Sequence, residues 1–91
     1  MYHVYILQCR DGSLYAGIAK DLKKRMDAHA AGRGSKYVRS RLPFSLVYSE
    51  KFNDRMGAAQ REAEIKAMSK ARKTRLIAGV NKTLLLAFLI V

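Results

Sequence analysis

The dipeptide Asp11-Gly12, set between two runs of β-branched and aromatic residues, constrains this chain more than any other feature. Residues 2–9 read YHVYILQC and residues 13–18 read SLYAGI, so the pair marks the turn of a β-hairpin. Side chains alternate between the faces of a strand, and the length of the turn decides which of them meet. A two-residue turn would oppose Cys9 to Leu14 and send Tyr5 and Tyr15 to opposite faces. A three-residue loop, Arg10-Asp11-Gly12 with Gly12 in the left-handed bulge position, instead pairs Cys9 with Ser13, Leu7 with Tyr15 and Tyr5 with Gly17. Both phenols then share one face, and the missing side chain at Gly17 leaves room beside Tyr5. The three-residue loop is the expectation.

The rest of the chain supplies elements to cover this hairpin. Asp21 is placed to cap a helix running through Ala31, which Gly32 can end in the left-handed conformation, with Leu22, Met26 and Ala30 as its buried stripe. Residues 33–41, RGSKYVRSR, read as a basic loop with a short helical turn stopped by Pro43, and residues 44–52, FSLVYSEKF, alternate like a third strand. Asn53 or Asp54 caps a helix from about Met56 to Ser69, followed by a shorter one from Lys70 to about Ile77. Strand, strand, helix, strand, helix predicts an α+β domain, a small three-stranded and mostly antiparallel sheet flanked by helices over residues 1–79.

Residues 80–91 stand apart as an apolar C-terminal tail. Their last eight, LLLAFLIV, are wholly apolar yet far short of the roughly 20 residues that span a bilayer. No transmembrane segment is expected; the tail is read as packing on the core or against a second copy, giving self-association, with peripheral membrane contact as the other reading. The single cysteine, Cys9, cannot form an internal disulfide and reads as a packed strand residue, and no apolar signal segment follows the N-terminus. A reducing cytoplasm is the expected location.

Eighteen Lys and Arg against seven Asp and Glu give a formal charge of +11, which points to a polyanionic partner and so to association with the nucleoid. The basic residues Lys20, Lys23, Lys24, Arg33, Lys36, Arg39 and Arg41 cluster around the hairpin and first helix, with Tyr37 among them to stack on an unpaired base and Gly17 allowing close approach. No base-reading element is visible, so loose sequence specificity follows.

On the first helix Arg25 and His29 lie four residues apart, on one face and bordering the buried stripe. One reading has Arg25 lying over the core edge and His29 as a satisfied boundary histidine; the other has both serving a site. Few acids are free to join them. Asp11 belongs to a turn, Asp21 and Asp54 to helix starts, Asp27 to an exposed face and Glu50 to a strand end, which leaves Glu62 and Glu64. Helical periodicity does not choose between these two. No His/Cys/Asp cluster indicates zinc.

The half-motif HVY ending at Tyr5, the half-motif YAG over Tyr15–Gly17, Arg25 ten residues after Tyr15, His29 four further on, and the downstream AAQREAEIK together resemble the GIY-YIG nuclease domain, in particular its small single-domain bacterial branch, over about residues 2–77. His3 stands where that family often has Gly, and Ala16 where it has Ile. The resemblance implies that Glu62, in the context Ala58, Arg61, Glu62, Lys66, is the metal ligand for Mg²⁺ or Mn²⁺, with Glu64 a solvated partner of lysines; the competing account of Glu62 is an i, i+4 pair with Lys66. It further implies that Tyr5 helps deprotonate the attacking water, its pKa lowered by nearby cations or the metal, that Tyr15 orients phosphate or water, that Arg25 grips the scissile phosphate, and that His29 contacts phosphate or assists proton transfer. The function so implied is a divalent-metal-dependent endonuclease that prefers DNA to RNA, in repair, recombination or DNA processing. The rival is a non-catalytic nucleic-acid-binding module on the same scaffold.

Overall fold

The computed structural model describes residues 1–79; the apolar tail, residues 80–91, lies outside the described residues, and with it the expectation of self-association through that tail. Three strands, β1 (Tyr2–Cys9), β2 (Leu14–Ala19) and β3 (Phe44–Phe52), form one antiparallel sheet in the order β2-β1-β3. The hairpin closes as the Asp-Gly pair dictates. Gly12 has φ +84°, Tyr5 pairs with Gly17 and Leu7 with Tyr15. The Cys9 amide donates to the Ser13 carbonyl at 2.9 Å, and Asp11 fixes the turn by accepting from the Ser13 amide at 3.0 Å.

The central strand β1 is buried on both faces, which explains its almost unbroken apolar run. Val4 and Ile6, with Ala16 and Tyr48, pack against Ala58 and Ile65 of α3 (Arg55–Lys66) and against Leu76 and Ile77 of the helical residues 70–79. Tyr5, Leu7 and Cys9, with Ala19, face the other way, toward Leu22 and Met26 of α1 (Leu22–Ala30) and Val38 of α2 (Lys36–Arg39). Helices therefore cover both faces of a three-stranded sheet, the α+β arrangement expected. Among the described residues no helix is long and apolar enough to cross a membrane.

Local chemistry sets the helix ends. Asp21, Ser35 and Asp54 each accept a backbone N–H of the first turn, at 3.0, 3.1 and 2.8 Å. Gly32 takes φ +80° just past α1. Two sequence expectations need correction, and a third, the strand over 44–52, holds in its bounds with one interruption. The stripe of α1 does not run through Ala30, which is exposed; it steps three residues from Met26 to His29, so the histidine takes the core position. The helix begun by Asp54 stops at Lys66 rather than Ser69, because Ser69 caps the following helical segment by accepting from the Arg72 amide at 3.2 Å. Strand β3 carries an irregularity where Ile6 pairs with Tyr48 but Leu7 pairs with Leu46, leaving Val47 as an extra residue.

Candidate active site

The hairpin register and the packing of α1 bring four of the five proposed catalytic residues together. Tyr5 from β1 and Tyr15 from β2 sit on one sheet face with ring centroids 6.5 Å apart. His29, on the last turn of α1, lies edge-on to both, at 5.8 Å from Tyr5 and 5.6 Å from Tyr15, and Phe44 is a third ring edge-on to it at 5.9 Å. The imidazole is 1% exposed and its Nε2 lies 2.8 Å from the Tyr5 hydroxyl. Arg25, one turn earlier, anchors to β2 by donating from Nη1 to the Ile18 carbonyl at 3.2 Å, and its guanidinium also reaches the Tyr5 phenol.

Two glycines make this packing possible. A Cβ at Gly17 would fall onto the Tyr5 hydroxyl and within 2.5 Å of its Cζ, so the phenol occupies the space the missing side chain leaves. A Cβ at Gly34 would fall onto His29 Nδ1 and within 2.6 Å of Cε1. That Nδ1 is buried with no hydrogen-bond partner among the described residues. Gly34, within a stretch read only as a basic loop, is a site residue that the sequence alone does not reveal; only the depth of His29 gives its small size a meaning.

Burial dominates the electrostatics. The Tyr5 side chain is 0% exposed, and its phenol is pushed up to about 12, chiefly by burial, which outweighs the hydrogen bond from Arg25. Of the expected influences, nearby cations or the metal, Arg25 does lower this group, but in the protein alone burial outweighs it. His29 is held below the usual imidazole range, first by burial and then by repulsion from Arg25, so it is neutral at pH 7. The pair rests as neutral phenol beside neutral imidazole.

Glu62 comes from α3, on the opposite face of the sheet from α1. It is linked to the cluster by charge alone, its carboxylate raising the Tyr5 phenol as the smallest of the named influences. Its side chain is 20% exposed and pairs with Lys66 at 3.6 Å, as the competing account foresaw. The two glutamates that periodicity could not separate are separated here, for Glu64 is 61% exposed and bonded to Arg61, not to lysines. Arg61 also donates to Glu50 at 3.0 Å, which in turn accepts from the Tyr48 hydroxyl at 2.6 Å; Glu50 lies near the end of β3, as expected, and this network ties α3 to that strand. Among the described residues no cluster of three or more His, Cys, Asp or Glu could hold a metal, so a cation here would rely on one carboxylate and solvent.

The basic residues divide by partner. Arg41 is committed to the scaffold: it pairs with Asp11 at 3.1 Å, donates to the Tyr37 carbonyl and stands 3.8 Å over the Tyr37 ring, which itself stacks on Tyr15 at 5.8 Å. Lys23 pairs with Asp27 at 3.4 Å on the exposed side of α1. Lys20, Lys24, Arg33, Lys36 and Arg39 are exposed and enter no ion pair among the described residues.

The family model described as the GIY-YIG catalytic domain matches residues 1–75. A UPF0213 protein of Staphylococcus saprophyticus is 47% identical over 76 residues, covering 84% of this chain and 93% of the relative, and a UPF0213 protein of Natronomonas pharaonis is 46% identical over 77 residues, covering 85% and 91%. The solution NMR structure of a UPF0213 protein of Bacillus halodurans is similar with a TM-score of 0.57 at 42% identity, covering 86% of this chain and 84% of that one. That of a protein from E. faecalis gives 0.61 at 30% identity, covering 88% and 85%.

Proposed function

The chain belongs to the GIY-YIG catalytic domain family, a nuclease-type family, and from that premise we propose that it is a divalent-metal-dependent endonuclease acting on DNA with loose sequence specificity, in repair, recombination or DNA processing. The observation that carries this reading is the gathering of Tyr5, Tyr15, Arg25 and His29 on one sheet face, with the Tyr5 hydroxyl 2.8 Å from His29 Nε2 and Arg25 favouring ionisation of the same phenol. A cation acting on that phenol favours its ionised form, which is the form a base needs.

In this reading Arg25 grips the scissile phosphate with its planar fork while the Ile18 carbonyl holds the fork in place. Tyr15, half-buried and supported from behind by the Tyr37 ring, orients the phosphate or the attacking water. Tyr5, its own proton first released to solvent, is held as phenolate beside Arg25 and returns to the neutral phenol on taking the proton of that water as the water oxygen bonds to phosphorus and the leaving oxygen departs. Glu62, a half-buried carboxylate whose charge is felt at Tyr5, fits a hard cation such as Mg²⁺ or Mn²⁺ completed by water. Such an ion would offset charge on the phosphoryl oxygens and favour ionised oxygen ligands nearby.

The non-catalytic alternative draws on one observation, the engagement of Glu62 with Lys66 beside a fully buried, neutral Tyr5. One experiment separates the two. Wild type and Glu62→Gln are incubated with labelled single-stranded, duplex, flap and junction DNA, with and without Mg²⁺ or Mn²⁺. Metal-dependent cleavage by wild type, lost in Glu62→Gln while DNA binding persists, is the expected result. Equal cleavage by both proteins removes the metal role of Glu62; no cleavage by wild type on any substrate leaves the binding module.

A further inference from the structure

A cleft of about 310 Å³ opens beside the catalytic cluster, lined by Tyr2, Ile18, Ala19, Lys20, Arg25 and Arg55. We propose that it is a second phosphate subsite, in which Lys20 and Arg55 take the phosphate adjoining the scissile one on the same nucleic-acid strand. The proposal rests on the nucleic-acid reading above and deepens it by naming where the strand runs.

Three observations converge. The lining brings together three cations and no carboxylate. Among the described residues none of these three enters an ion pair, whereas Lys23, Arg41, Arg61 and Lys66 each have a carboxylate partner. Like charges sharing a small space repel one another, and the arrangement is relieved only when an anion enters. Finally, Arg25 belongs both to this cleft and to the cluster around Tyr5, so a ligand that fills the cleft while engaging the cluster is one continuous polyanion rather than a free small one.

The backbone holds these groups in place. Lys20 joins the end of β2 to the cap of α1, where Asp21 accepts from the Lys24 amide at 3.0 Å. Arg55 is the first residue of α3, directly after Asp54, which accepts from the Gly57 amide at 2.8 Å. The apolar part of the lining, Ile18, Ala19 and the half-buried Tyr2 ring, offers a surface for a sugar or base between the two phosphates. Arg55 carried no signal in the sequence, and only the fold places it in the same cleft as Lys20.

The test measures binding without divalent metal, so that it does not depend on turnover. Fluorescein-labelled DNA is titrated with wild type, Lys20→Ala/Arg55→Ala and Arg55→Lys across a range of salt, and again with strands carrying a single methylphosphonate at successive positions. Loss of one phosphate contact should lower the magnitude of the slope of log K against log salt by about 1 in the double variant, with Arg55→Lys close to wild type. One methylphosphonate position that weakens wild type should become silent in the double variant. An unchanged slope, or a methylphosphonate profile identical to that of wild type, overturns the subsite. Absence of any DNA binding by wild type would overturn the nucleic-acid reading itself.

Discussion

Replacing Tyr5 by Phe and following stability with pH tests the most unusual electrostatic feature of the molecule. The Tyr5 phenol rises from an ordinary value of 10.0 to about 12, mainly through burial. Between those values the folded protein retains a proton that the unfolded chain has released, so unfolding becomes easier as pH rises; the stabilisation is complete below about pH 10 and is lost through about pH 12. Two pKa units correspond to about 2.7 kcal/mol, a large share of the roughly 5–15 kcal/mol available to a small domain. At about pH 8 Tyr5→Phe should instead be the less stable protein, by about 1–3 kcal/mol, because His29 Nε2 loses its partner at 2.8 Å while buried. Urea denaturation at intervals from about pH 8 to about pH 12 should therefore show wild type starting above the variant and falling to meet or cross it. A spectroscopic control uses the tyrosinate band: of five tyrosines, one that titrates near 12 should vanish from the wild-type curve in the variant. Tyr48, also raised by burial, is common to both proteins and cancels in the difference. Stability curves that stay parallel across the whole range would refute the assignment of a buried, high-pKa phenol.

Two further outcomes follow from the same packing. Gly17→Ala places a methyl group onto the Tyr5 hydroxyl, and since the ring is buried and bonded to His29 the collision should cost about 1–3 kcal/mol, lowering the melting temperature by about 4–8 °C for each; an unchanged melting temperature would mean that Tyr5 does not fill the space beside Gly17. For His29, whose imidazole is held below its ordinary 6.5, the unfolded chain binds the extra proton first, so stability is complete above about pH 6.5 and declines as pH falls; His29→Gln should flatten that decline, and identical acid slopes in the two proteins would place the histidine outside the core.

What the sequence makes legible is direction, and what it conceals is depth. The Asp11-Gly12 pair specifies the loop, the loop specifies the register, and the register puts Tyr5 opposite Gly17 and on the same side as Tyr15, all from the two-residue period of a strand. The spacing of Arg25 and His29 likewise specifies a common helix face. Neither period says how near α1 lies to the sheet. That distance is set by small residues far apart in the chain, Gly17 beneath the phenol and Gly34 against the imidazole, and it turns a boundary histidine into a buried one and displaces Ala30 from the stripe. Glu62 and Glu64 are a similar case: equivalent by periodicity, they differ because Arg61 reaches Glu50 across to β3 and draws Glu64 with it, while Glu62 stays half-buried with Lys66.

The depth of Tyr5 also bears on what the proposed chemistry requires. A phenol with a pKa of about 12 lies five units above neutral pH, so forming its phenolate there costs about 7 kcal/mol. That value already includes the help of Arg25. His29 cannot supply the difference by accepting the proton, because its own pKa is depressed by burial and by Arg25. A positive charge near the phenol acts in the required direction, and a doubly charged one acts twice as strongly at the same distance. The divalent ion of the proposed function would thus act on Tyr5 more strongly than a monovalent one at the same place. Under the proposed function Glu62 would hold that ion, and its negative charge, which opposes phenolate formation when uncompensated, would then be offset.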